Sequence, residues 1–274
     1  IIWTAEKTST DRTDIEENTA DYFTQNTPLL DTYSGAAACY SLRLMRTAYT
    51  GDAVEVYNGS SYADIGFNVF GELDTVALAA HCGSNDGFVS KWYDQSGNTN
   101  TAAQTTTANM PKIYDGTTGV VTDANGKAKI EYSTGKFLDT SLAGSSDSWV
   151  FSALTAKNDS ILMSEVSTNS EYLFLPRTGN SSAPSAGYTV GQYYKNGTAE
   201  TYTTRDDAAT AWNDVHGVLT IDVDSSNVSS YRIGFYVASF GFHELQDLII
   251  YHSDQSAVRT GIESNIATFY GITI

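Results

Sequence analysis

The chain has 274 residues, with 32 Asp and Glu against 15 Lys and Arg, for a net charge of −17. Such an acidic balance excludes binding to DNA, RNA or anionic lipid, each of which needs a cationic face. Hydrophobic content of 41% with only 17% charged residues excludes a disordered chain, and no run nears the roughly 18 apolar residues of a membrane span.

The opening, Ile1-Ile2-Trp3-Thr4-Ala5-Glu6-Lys7, lacks the basic region and apolar stretch of a signal peptide. Residues 1–24 match the end of the chain. Arg12-Thr13, Ile15-Glu16, Asn18 and Ala20 align with Arg259-Thr260, Ile262-Glu263, Asn265 and Ala267, and an aromatic pair closes both copies. In the second copy Val258, Ile262, Ile266 and Phe269 fall on one helical face, and Gly271 supplies a stop. The reading is that 1–24 is the closing strand and helix of a preceding, similar module, and that 25–274 is one β-sandwich domain.

Residues 25–33 read as a connector. Ser34 then caps a predicted helix from Ala36 to Arg46, rich in good helix formers. Ala53 to Tyr57 alternates as a strand, and Asp74 caps a second helix, Thr75 to Cys82, stopped by Gly83. Strands follow over Gly87–Tyr93, Pro111–Tyr114, Ala128–Tyr132, Trp149–Leu154 and Ile161–Glu165. A second group covers Tyr172–Leu175, Thr189–Tyr194, Val218–Val223, Arg232–Val237 and Leu245–Tyr251. Turns such as Asp115-Gly116 and Asn196-Gly197 separate them. Many short strands with a few peripheral helices and no β-α-β alternation predict an all-β jelly-roll β-sandwich.

Few side chains suggest chemistry. Cys39 and Cys82 are too sparse for a zinc site and read as free, buried thiols, with a single bridge as the alternative. No metal or cofactor is expected. The one candidate is Asp94, whose Tyr-Asp-Gln-Ser-Gly setting suits a side-chain-capped turn, or calcium with Gln95 and Asn98 as partners. Trp92 and Trp149 lie in strand patterns and are expected in the core. Trp212 sits in a polar stretch and is the exposed candidate for stacking on a sugar, with Tyr193 and Tyr194 beside it in a tyrosine-dense region that includes Tyr188 and Tyr202.

The block Ala38-Cys39-Tyr40-Ser41-Leu42-Arg43, Leu73-Asp74-Thr75, Cys82 and Trp92-Tyr93-Asp94-Gln95-Ser96-Gly97-Asn98 resembles the catalytic domain of α-L-arabinofuranosidase B. It also resembles concanavalin-A-like modules of phage virion and bacterial surface proteins. The ending Ile249-Ile250-Tyr251-His252-Ser253-Asp254-Gln255-Ser256 is similar to the phage-type versions. The resemblance implies a concanavalin-like sandwich and, on its enzyme branch, release of terminal arabinofuranosyl groups by two carboxylates.

On that branch the nucleophile is a Glu before an apolar strand, which points to Glu171 ahead of Tyr172-Leu173-Phe174-Leu175. The acid/base is an Asp in a Gly-Gly-Asp-Asn turn, and the matching region, Ile233-Gly234-Phe235-Tyr236-Val237-Ala238-Ser239-Phe240, holds no acid. Glu165 and Asp222 are further acids, but their spacing does not select them. The expectation is therefore no catalysis: a non-enzymatic structural or display module of a phage virion or bacterial surface protein. It would be virion-borne or extracellular and would recognise a glycan, with neighbouring copies or other surface proteins as partners. The alternative is an arabinofuranosidase-like glycoside hydrolase.

Overall fold

The computed structural model describes residues 27–167, 171–234 and 243–274. The stretch read as the end of a preceding module, 1–24, lies outside them. Among the described residues no helix is long and apolar enough to cross a membrane.

Two layers of antiparallel strands form the molecule. The first contains β1 (Ala36–Ser41), β10 (Ser148–Ala156), β13 (Thr189–Lys195), β14 (Thr198–Glu200), β15 (Val215–Asp224) and β17 (His243–Tyr251). They run in the spatial order β14-β13-β15-β10-β17-β1. The second layer is built from β2 (Val54–Tyr57), β3 (Tyr62–Ile65), β4 (Gly87–Trp92), β5 (Ala102–Ala103), β9 (Leu138–Asp139), β11 (Met163–Glu165), β12 (Tyr172–Leu173) and β16 (Tyr231–Ile233). Its order is β3-β2-β4-β5-β9-β16-β11-β12. Short strands β6 (Lys112–Asp115), β7 (Gly119–Val120) and β8 (Ile130–Tyr132) pass from β4 to β17 and join the layers at one end. The jelly-roll sandwich read from the sequence is the observed class.

Strands β10 and β17 are buried on both faces, so their sequences read as unbroken apolar runs rather than alternations. Val150, Leu154, Leu248 and Ile250 face the core between the layers with Tyr40, Trp92 and Ile221. Trp149, Phe151, Ala153, Ile249 and Tyr251 face outward. Two of the four helices among the described residues cover them: α1 (Leu29–Thr32), within the predicted connector, through Leu29 and Leu30, and α4 (Arg259–Tyr270) through Ile262, Ile266 and Tyr270. Gly271, left-handed at φ +65°, stops α4 where a Cβ would be strained. The other two helices are α2 (Thr75–Cys82) and α3 (Arg205–Trp212). The side chain of Asp74 caps α2 by accepting from the Val76 and Ala77 amides, as its position before the apolar run predicts.

The stretch from Ala36 to Arg46, predicted helical, is instead β1 followed by irregular chain. Ala38 to Ser41 pair residue by residue with Ile250 to Asp247, and the inner and outer cores bury alternate side chains. Pairing on both sides of β17 outweighs a helix propensity of a few tenths of a kcal/mol per residue. Beyond the strand, Arg43 is buried against Asp247, a carboxylate with no exposed side-chain surface. Asp247 also accepts from Ser41 Oγ at 2.5 Å and Tyr270 Oη at 2.7 Å, so β1, β17 and α4 meet on one satisfied anion.

Candidate active site

One end of the second layer joins the first where β12 leads toward β13. Met163 pairs with Leu173 and Ser164 with Tyr172, and the next rung is the Glu165 amide donating to the Glu171 carbonyl at 3.3 Å. Glu165 and Glu171 therefore stand opposite each other and share the face of Met163 and Leu173. Directly opposed residues of an antiparallel pair have Cβ atoms about 4.5–5.5 Å apart. Glu165 is 3% exposed, and its carboxylate accepts from Ser167 Oγ at 2.8 and 3.0 Å and from Ser229 Oγ. Those hydroxyls fix its orientation. Glu171 is half-buried and packs over Gly187, where an added Cβ would lie 2.2 Å from the Glu171 Cγ and the backbone has φ +76°. Only glycine fits there.

After Gly187 the chain enters a cleft of about 290 Å³, lined among others by Ser185, Tyr188, Gln192, Tyr193, Glu200 and Tyr202. Its aromatic wall is deep. Tyr193 and Tyr202 lie 5.3 Å apart, and each is about 6 Å from Phe174. Phe174 in turn meets Trp212 edge-on at 5.8 Å and has a left-handed backbone, φ +59°, which costs a Cβ-bearing residue on the order of 1–2 kcal/mol. Burial, then the nearby Tyr231, Glu171 and Glu165, holds the Tyr188 phenol well above the usual tyrosine range. That phenol stays protonated at working pH, close to both carboxylates.

The glycan-binding candidates do not form one surface. Trp212 is not in an exposed loop: it ends α3, is fully buried, and donates from Nε1 to Tyr202 Oη at 2.9 Å. It supports the cleft from behind and offers no ring to a sugar. The capping box of Thr204 with Asp207 starts that helix, and the Thr-x-x-Asp spacing was its signal in the sequence. Tyr193 lines the cleft, with its hydroxyl 2.7 Å from Ser185 Oγ. Tyr194, the next residue on the strand, points to the other face, stacks on Trp149 and lies under Arg259.

Asp94 is a turn anchor. Its carboxylate accepts from the amides of Cys39, Ser96 and Asn100 at 2.8–2.9 Å and from Ser96 Oγ at 2.8 Å, so its acceptor capacity for a cation is taken. Among the described residues no three or more His, Cys, Asp or Glu side chains gather to hold a metal. Cys39 and Cys82 are free and buried, the first in the outer core and the second between the layers. Burial pushes the Cys82 thiol up to about 11. Asp222 alternates with core-facing Ile221 and Val223, which turns it away from Glu165 and Glu171. Residues 235–240 of the strand predicted through Val237 and of the acid-free stretch lie outside the described residues.

No protein-family model matches the sequence, and no curated protein matches it significantly. Solved structures do. An arabinofuranosidase complexed with arabinofuranosyl-α-1,2-xylobiose superposes with a TM-score of 0.56 at 13% identity. A GH54 α-L-arabinofuranosidase soaked with a cyclic sulfate inhibitor gives 0.54 at 13%. A Glu-to-Gln mutant of a GH54 α-L-arabinofuranosidase soaked with 4-nitrophenyl α-L-arabinofuranoside gives 0.53 at 14%. Each alignment covers 91% of this chain and 64% of the other, so the chain spans somewhat under two thirds of those enzymes. At this identity the likeness is one of fold. These neighbours go against the expectation of a non-enzymatic virion or surface display module: the structures this sandwich matches are arabinofuranosidases, which favours the glycoside hydrolase alternative over it.

Proposed function

We propose that the chain is a glycoside hydrolase-like domain acting on terminal α-L-arabinofuranosyl groups, with Glu165 and Glu171 as its carboxylate pair. The observation that carries this reading is their opposed register at the head of β11 and β12, beside the cleft entered at Gly187. Two acidic residues directly across a ladder do not favour the sheet, so their placement is explained better by function than by stability. A retaining glycosidase needs two carboxyl groups about 5–5.5 Å apart, a separation within reach of two Glu side chains on directly opposed positions. The acid missing from the stretch after Ile233 is then provided by Glu165, from a different strand.

Glu171, half-exposed and following the resemblance, is the nucleophile: its carboxylate attacks the anomeric carbon as the glycosidic C–O bond breaks. Glu165, as the carboxylic acid, gives its proton to the departing oxygen. Water then attacks the glycosyl–Glu171 ester while Glu165 takes the water's proton, which releases arabinose with retained configuration and restores both groups.

The test is hydrolysis of 4-nitrophenyl α-L-arabinofuranoside by the purified chain. We expect turnover that falls at least about 10³-fold in Glu171→Gln and recovers in part with azide. Glu165→Gln should lose roughly 10²–10⁴-fold on substrates with poor leaving groups and less on the nitrophenyl glycoside. A wild-type chain with no turnover, or full activity in both variants, overturns the reading.

A further inference from the structure

Several polar side chains on the cleft wall have partners inside the protein. Ser185 and Tyr193 share a hydroxyl–hydroxyl contact, Tyr202 accepts from Trp212, and the Gln192 amide donates to the carbonyls of Tyr193 and Glu200. Tyr188 differs. It is 8% exposed, and its hydroxyl is buried with no hydrogen-bond partner among the described residues. Leaving a buried hydroxyl unpaired costs stability, and in folded proteins such groups are rare and call for a reason. Gly187, next to it, lies under Glu171, and Tyr188 itself lines the cleft.

We propose that Tyr188 is a substrate-binding residue whose phenol donates a hydrogen bond to an oxygen of a furanosyl ring seated in the cleft against Glu171. The identity of the sugar rests on the arabinofuranoside reading above; the existence of a ligand oxygen for Tyr188 does not. Burial and the two neighbouring carboxylates keep the proton on the phenol, so it acts as donor throughout the neutral range. The bond forms only when the site is filled. The free protein therefore bears an unmet donor that the ligand satisfies, the arrangement by which a site rejects molecules lacking the matching acceptor.

Tyr188→Phe keeps the ring and removes only the hydroxyl, which separates this role from a packing role. Melting temperature, kcat and KM with 4-nitrophenyl α-L-arabinofuranoside, and binding of methyl α-L-arabinofuranoside by calorimetry are measured for both chains. The expected result is a variant that melts higher than wild type yet binds the methyl glycoside at least about tenfold more weakly, with KM raised to match. A variant that melts lower, or binds with unchanged affinity, overturns the inference while leaving the hydrolase reading in place. A wild type that binds the methyl glycoside through Tyr188 without turnover sustains the inference and defeats the hydrolase reading. Absence of both binding and turnover defeats both.

Discussion

Around Asp247, in the middle of β17, two arginine nitrogens and two hydroxyls converge on one buried carboxylate, and nothing there is left unpaired. Around Glu165 and Glu171 two carboxylates are set side by side, a phenylalanine holds a left-handed backbone, and the Tyr188 hydroxyl has no partner. Both places are buried parts of one sandwich. The first satisfies its polar groups internally and so holds strands and helix together. The second satisfies Glu165 through Ser167 and Ser229 but leaves the Tyr188 hydroxyl without a partner among the described residues.

The comparison breaks most visibly if Asp247 is removed. Asp247→Ala leaves Arg43 buried and uncompensated and should cost about 3–5 kcal/mol in a denaturant titration. A loss under 1 kcal/mol would show that the network does not brace the fold.

A gentler version lies on the same strand. His243, at the first residue of β17, stacks on Tyr132 at 4.5 Å, and neither ring nitrogen has a partner among the described residues. Burial pushes its pKa down to about 3, against the small opposing pull of Glu244. The unfolded histidine protonates near 6.5, so between those values the unfolded state holds more protons and stability falls as pH drops. About 3 kcal/mol should be lost between pH 7 and pH 4, and His243→Phe should remove that share of the acid sensitivity. An unchanged acid profile in the variant would place the sensitivity elsewhere.

The smallest effect has the opposite sign. Glu171→Gln relieves the charge facing Glu165 and should leave stability equal or raise it by up to about 1 kcal/mol. A clear loss would make Glu171 a bracing group like Asp247 and erase the contrast.

How much of this was legible in the sequence follows the same divide. The doubly covered strands showed as apolar runs, and Asp74 announced α2. The stretch from Ala36 to Arg46 misled because its helix formers describe the isolated chain, whereas β1 is decided by a partner strand some 200 residues away. At the candidate site, Glu171 rests on likeness and the tyrosines on their density, whereas the polar sequence around Trp212 conceals a helix, capped by Thr204 and Asp207, that buries its ring. The pairing of Glu165 with Glu171 escaped because strand register is a tertiary fact. Its one trace is that the two acids stand symmetrically at the facing ends of consecutive strands.

The contact between Ser41 and Asp247 spans 206 residues of chain, and this sets a timetable for biosynthesis. At roughly 5–20 residues per second, a ribosome takes about 10–40 s to deliver β17 after β1 has emerged. Throughout that interval β1 is an unclaimed sticky ribbon, which makes the nascent polypeptide a client for chaperones and its folding slow, as distant pairings require.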